Sequence, residues 1–361
     1  MHDNIYTAIG LMSGTSTDGI DAAIIKTDGY KITEYFESIF IPYQEDFRRK
    51  LQNLMNKNAN HLALEQEFTE LNIKAVIKIL QLNKMSADDI DLIGFHGQTI
   101  THQPAEGITW QIGNSALLAE KTGINVIGDM RRRDVAAGGQ GAPLVPIFHH
   151  ALFNDYTKPL MVVNIGGVAN ITYISEDEDA LMACDTGPGN ALIDDFIFSK
   201  TGQKYDEGGQ LALKGSVNFD IINEIMTLEY FKIPPPKSLD RHDFSDILPL
   251  VNNLSTEDAV ATLSYFTAKT IADSAKFAPE QPTKWIICGG GRHNKFIMEK
   301  LNELLDGVVD DIDQHGLSGD YIEAQAFAFL AVRSFKKLPI TFPKTTGIAR
   351  AISGGSIYSV R

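Results

Sequence analysis

The chain has 361 residues, 43% hydrophobic and 22% charged, with a formal net charge of -14. This is globular composition, long enough for two domains, and it excludes a disordered chain. The acidic balance argues against nucleic acid and anionic membranes as partners, and no apolar run approaches the length of a membrane span.

The N-terminal MHDNIYTAIG lacks the charged and apolar regions of a secretory leader, so a cytoplasmic protein is expected. Ile5 to Met12 reads as a strand, SGTSTDG at 13–19 as a turn, and Ile20 to Ile25 as a second strand. A further strand is predicted over 32–42, then helices over 44–57 and 60–82. Asp91 to Phe95 is a short strand ending in HGQT, followed by strands at 110–112 and 124–127 with a helix at 115–121 between them. The second half starts as the first does: strand 160–165, a Gly166-Gly167 turn, strand 168–174. A strand around Ala183 runs into DTGPGN and a helix over 191–199. Helices follow over 257–277, 294–305 and 320–336, with a strand at 285–288. Cys184 and Cys288 sit in apolar strands outside any CxxC or Cys/His cluster. They read as buried thiols, not zinc ligands, and suit a reducing cytosol.

Three glycine-rich turns each follow an apolar strand: 13–19, 166–167 and 289–291. Such turns let backbone N–H groups converge on an anion, so a shared nucleotide-phosphate function is expected. The third is predicted to enter a helix N-terminus directly. There is no GxxxxGK[ST], and no GxGxxG opens a helix after the first strand, which excludes a P-loop and disfavours a dinucleotide site. Asp185, at a strand end before Gly187-Pro188-Gly189, is either a turn cap or a general base aimed at a cleft. His96 is structural or a substrate contact. Arg131 to Arg133 are a solvated run or a grip on a carboxylate or phosphate. Glu323 stands three residues after Asp320, the spacing of a capping box.

These runs together resemble the anhydro-N-acetylmuramic acid kinase family. The matching pieces include GLMSGTSTDGIDAA at 10–23, GFHGQT at 94–99, GDMRRRDVAAGGQGAPLVPIFH at 128–149 and VVNIGGVANIT at 162–172. They continue with DTGPGNALID at 185–194, KSLDRHDF at 237–244, ICGGGRHN at 287–294 and EAQAFAFLA at 323–331. The match runs in order along nearly the whole chain, departing at Met130 (usually Phe) and Asn114 (more often Asp).

The resemblance implies an α/β, two-lobed actin-like ATPase (sugar kinase) fold with central mixed sheets and an interdomain cleft. Lobe I is expected over 1–130 with 345–361 packing back on it, and lobe II over 131–344. It implies that water opens the 1,6-anhydro ring while ATP phosphorylates O6, giving N-acetylmuramate 6-phosphate and ADP. Asp185 matches the catalytic base. Gly14, Thr15, Ser16, Thr17, Asp18, Gly19, Ile20 and Asp21 match the ATP phosphate segment, and Gly166, Gly167, Gly289, Gly290 and Gly291 border the nucleotide. His96, Gly97, Gln98, Arg131 and Glu323 are expected near the anhydro amino sugar. Mg²⁺ is expected on phosphate oxygens and water, with unknown protein ligands, and the protein is expected to be a homodimer.

Overall fold

A computed structural model describes residues 4–14, 16–55, 61–241 and 243–360. The chain divides into two compact units, Met1–Asn154 with Tyr321–Arg361, and Asp155–Asp320.

In the first unit, β1 (Tyr6–Ser13) and β2 (Gly19–Thr27) form an antiparallel hairpin. Both are nearly continuous apolar runs, as strands covered on two faces must be. The stretch predicted as one strand over 32–42 is two, β3 (Ile32–Tyr35) and β4 (Ile39–Pro42), which pair with successive parts of β2. β5 (Leu92–Gln103) runs parallel to β1 and does not stop before His96. Its outer half carries β6 (Ile108–Ile112) as an antiparallel partner, which extends the strand through HGQT. β7 (Asn125–Gly128) lies parallel on the other side of β5, and the terminal strand Ser356–Tyr358 closes that edge. The core lies between this sheet and the His61–Asn83 helix, whose Leu64, Phe68, Ala75, Val76 and Ile79 share one face. The Ser115–Thr122 helix is capped by Asn114, whose Oδ1 accepts the Leu117 N–H at 2.9 Å. Asn and Asp cap about equally well, so Asn114 fills this position without a charge.

The Ile322–Phe335 helix packs its backbone on β1 and β5 at two glycines that are register partners, Gly10 and Gly94. A Cβ on Gly10 would stand 1.8 Å from the Ala324 carbonyl oxygen, and one on Gly94 2.0 Å from that of Phe327. Glycine is required here by close approach, not by turn geometry.

The second unit repeats the plan. β8 (Leu160–Ile165), β9 (Val168–Ile174) and β10 (Met182–Pro188) form an antiparallel meander. β11 (Lys284–Cys288) and β12 (Val308–Asp311) add in parallel beside β8. The order β10-β9-β8-β11-β12 matches β3-β2-β1-β5-β7 strand for strand and direction for direction. The Thr256–Ser274 helix covers this sheet and contributes Val260, Leu263, Phe266 and Ile271 to the core.

Several expectations shift. The unit boundaries fall at 154/155 and 320/321, not at 130/131 and 344/345. Arg131 bonds to His96 and the Ile322–Phe335 helix packs on β1, so both segments belong with the first unit. Asp185 lies inside β10, which continues to Pro188, with a register shift between Asp185 and Gly187. The Gly289–Gly291 turn leads into a 3-10 turn, Gly290–His293, and the α-helix starts only at Lys295 under its Asn294 cap. No capping box joins Asp320 and Glu323: the N-cap is Tyr321, and Asp320 pairs instead with Arg292 at 2.8 Å. A charge-assisted bond to a guanidinium outcompetes the cap. No helix among the described residues is long and apolar enough to cross a membrane.

Candidate active site

In the first unit the β1–β2 tip is tied down by side chains. Ser13 Oγ lies 2.8 Å from Gln98 Oε1, 3.0 Å from the Gly19 carbonyl and 2.5 Å from the Tyr43 hydroxyl. Ser13 has one proton, shared between these two carbonyl oxygens, so Tyr43 donates to Ser13. Burial raises the Tyr43 pKa far above the ordinary phenol value, which keeps that proton in place. The other end of the Gln98 carboxamide donates to the Gly14 carbonyl at 3.1 Å. Gln98 is fully buried and braces the tip with both of its polar groups. Thr17 takes φ +52 and closes the tip by donating its N–H to Gly14. Ser16 and Asp18 are exposed there, the Ser16 hydroxyl donating to Asp18 at 2.7 Å. Ile20 is part of the core, and Asp21 pairs with Met12 in the sheet. Thr15 lies outside the described residues.

His96, Arg131 and Glu323 come together in the same unit. Arg131 Nε and Nη2 lie 3.1 and 3.0 Å from His96 Nε2, and Nη1 donates to the Gly141 carbonyl at 2.8 Å. A guanidinium only donates, so Nε2 is the acceptor and Nδ1 carries the imidazole proton. Burial holds the His96 pKa well below 6.5, and the Arg131 charge pushes the same way. The neutral ring packs on Phe327, one helical turn beyond Glu323. Burial raises the Glu323 carboxyl, Arg131 lowers it and Asp18 raises it, so these charged groups share one field. Gly97, at φ +75, has its α-carbon against the Ile112 carbonyl, where a Cβ would stand 2.7 Å away. The neighbouring loop is held by Asp134, which the sequence reading passed over: Oδ1 accepts the Gly141 N–H and Oδ2 the Thr346 hydroxyl, each at 2.6 Å.

In the second unit the glycine turns assemble. The Gly189 and Ala191 N–H groups donate to the Gly167 carbonyl, and the Asn190 N–H donates to that of Gly166 at 2.7 Å. Gly289, at φ +77, and Gly291 both pack on Ile165, at the base of the 166–167 turn. The 187–189 segment was absent from the expected phosphate residues, yet a Cβ on Gly189 would stand 2.2 Å from the Gly166 carbonyl oxygen. At Gly166, Gly167 and Gly290, by contrast, neither a positive φ nor crowding within the chain calls for glycine. Bare backbone at such places suits close approach by something outside the chain.

Asp185 is half-buried in β10, four residues before Gly189. Its Oδ2 accepts the Leu239 N–H at 2.8 Å, its own N–H donates to the Lys237 carbonyl at 3.1 Å, and its carbonyl accepts the Tyr230 hydroxyl at 2.8 Å. The 230–239 segment thus fixes both the backbone and the carboxylate of Asp185. Lys237 donates to the Tyr230 carbonyl and sits over the Tyr230 ring, 4.2 Å from its centre. Burial holds its ammonium below the ordinary lysine value. Tyr230, just before a proline run, carries no motif, and Lys237 opens the KSLDRHDF run without a role being read for it. Cys184 is pushed up to about 12 by burial, an inert thiol as expected. No group of three or more metal-type side chains occurs among the described residues.

A family model for anhydro-N-acetylmuramic acid kinase matches residues 6–360. A Zymomonas mobilis protein named anhydro-N-acetylmuramic acid kinase is 46% identical, covering 98% of this chain and all of that protein. One from Rhodopseudomonas palustris under the same name is 44% identical, covering 97% of this chain and 98% of its own. Among solved structures, component A of (R)-2-hydroxyglutaryl-CoA dehydratase from Acidaminococcus fermentans superposes with a TM-score of 0.50 at 12% identity, over 92% of this chain and 100% of its own. That likeness shows the fold alone, an α/β fold of two units. With a family model spanning almost its whole length and close relatives matched end to end, this chain belongs to the anhydro-N-acetylmuramic acid kinase family.

Proposed function

We propose that this enzyme is an ATP-dependent kinase that opens the 1,6-anhydro ring of anhydro-N-acetylmuramic acid with water and phosphorylates O6, yielding N-acetylmuramate 6-phosphate and ADP. The observation that carries the nucleotide half is the trio of uncrowded glycines, Gly166, Gly167 and Gly290, in the turns that follow the neighbouring parallel strands β8 and β11. ATP lies against this bare backbone, with the 14–21 tip as its phosphate segment. Asp185 accepts a proton from water as the water oxygen bonds to C1. The C1–O6 bond breaks, O6 bonds to the γ-phosphorus, and ADP leaves with the bridging oxygen. The cradle from Tyr230, Lys237 and Leu239 holds the carboxylate ready for that proton. Arg131, the neutral His96 and Glu323 bind the sugar. Gly97 and Gln98 lie near the sugar too, and Gln98 also braces the tip through Ser13 and Gly14. Mg²⁺, when bound, neutralises phosphate charge. The same reading takes the enzyme to be cytoplasmic, a homodimer, and active in peptidoglycan recycling.

Asp185→Asn tests the base. The asparagine Oδ1 still accepts the Leu239 N–H, so the fold and ATP binding persist. Proton acceptance is lost, and kcat falls by about 10²- to 10⁴-fold. Near-wild-type turnover with intact ATP binding would overturn the assignment.

A further inference from the structure

Arg292 directly follows the Gly289–Gly291 turn, yet its side chain is only 2% exposed. Its Nη1 donates to the Gly289 carbonyl at 3.1 Å and pairs with Asp320 at 2.8 Å. Nε donates to Asp313 at 3.2 Å, Nη2 stands 3.2 Å from the same carboxylate, and Asp311 lies 3.5 Å from Nε. Room for the guanidinium exists because residue 319 is glycine: a Cβ there would stand 2.7 Å from Nε. The Gly319 N–H donates to Asp313 at 2.9 Å, which folds the loop back onto the same centre. Asp313 is held below the ordinary carboxylate value: burial alone would raise it, and the Gly319 N–H and Arg292 more than offset this.

One buried cation therefore gathers the glycine turn and the 311–320 loop. Asp320 is the last residue of the second unit, and Glu323 follows three residues later in the first. The Asp320 side chain is 61% exposed, so the bond to Arg292 is what anchors it. We infer that Arg292 is a positioning residue that ties the nucleotide turn to the chain crossover at 320/321, so that nucleotide on Gly289–Gly291 orders the segment leading to Glu323. This rests on the nucleotide reading of that turn. A lysine cannot stand in, because one ammonium lacks the planar fork that reaches Gly289, Asp313 and Asp320 together.

Hydrogen-exchange mass spectrometry with the β,γ-imido analogue of ATP tests the inference. In the wild-type protein the analogue slows exchange at 289–292 and at 316–323. In Arg292→Lys the first protection remains and the second is lost. Asp320→Ala removes the acceptor, keeps the buried cation paired with Asp313, and serves if the lysine variant does not fold; it too loses protection at 316–323. Equal protection of 316–323 in wild type and variants would overturn the inference alone. No protection at either segment of the wild type would overturn the nucleotide reading and this inference with it.

Discussion

Gly10→Ala inserts one methyl group where the Ile322–Phe335 helix meets β1. The new Cβ would stand 1.8 Å from the Ala324 carbonyl oxygen and 2.6 Å from the Ala328 nitrogen. Carbon–oxygen contact is tolerated from about 3.3 Å, so the helix must retreat by about 1.5 Å. Both obstructing atoms are backbone within a helix, so no rotamer change relieves the clash. Overpacking of this kind costs about 1–3 kcal/mol, and a backbone obstruction lies at the upper end. At about 2–4 °C per kcal/mol for a unit of this size, Tm falls by about 6–12 °C. The obstructed residue is the immediate neighbour of Glu323, so the Glu323 carboxylate, proposed to bind the sugar, moves with the helix. A misplacement of about 1 Å costs about 10²-fold in turnover. Thermal melting and ADP release with the anhydro sugar measure the two effects. A variant melting within 2 °C of wild type and turning over at the wild-type rate would refute the close-approach argument.

Two pH-dependent predictions follow from buried titratable groups. His149 is pulled down to about 3 by burial, so the unfolded chain takes a proton below about pH 6.5 that the folded chain refuses. Stability is lost as pH falls from about 6.5 toward about 3, and His149→Gln flattens that limb; melts at pH 4.5 and 7.5 check it. Asp194 is raised to about 7, chiefly by burial, with Asp195 adding to the rise and Arg241 opposing it. Here the folded state holds the proton more tightly, so stability is lost as pH rises from about 4 through about 7. Asp194→Asn is therefore stabilised relative to wild type at pH 8 and equal to it at pH 3.5; chemical denaturation at the two pH values decides it.

The strand and helix sequence of both units was largely legible, because buried strands such as Leu160–Ile165 are unbroken apolar runs. The glycine turns were legible as motifs. What they pack against was not: Gly291 meets Ile165 across the sheet, a pairing set by β11 lying beside β8. The end of β5 was misjudged because HGQT is polar, and its strand character comes from β6 pairing alongside it. Gln98 shows the limit for single residues. Its motif pointed to substrate, and only the fold reveals that both ends of its carboxamide brace Ser13 and Gly14. Asp320 shows the same limit for spacing, since its partner Arg292 lies 28 positions upstream. Tyr230 carried no signal, because a hydroxyl that serves a distant backbone has no local pattern, and Asp134 sat inside a matching run without any hint of the loop it holds.

The glycine pair on β1 and β5 has a consequence for synthesis. The helix that covers Gly10 and Gly94 is translated after the whole of the second unit. On the ribosome, the second unit has every strand of its sheet before the first has its lid. The bare face around Gly10 and Gly94 must wait, uncovered, for residues 322–335 to emerge. Pausing or truncation within that last stretch would leave one finished unit joined to one open sheet, the species on which a chaperone would act.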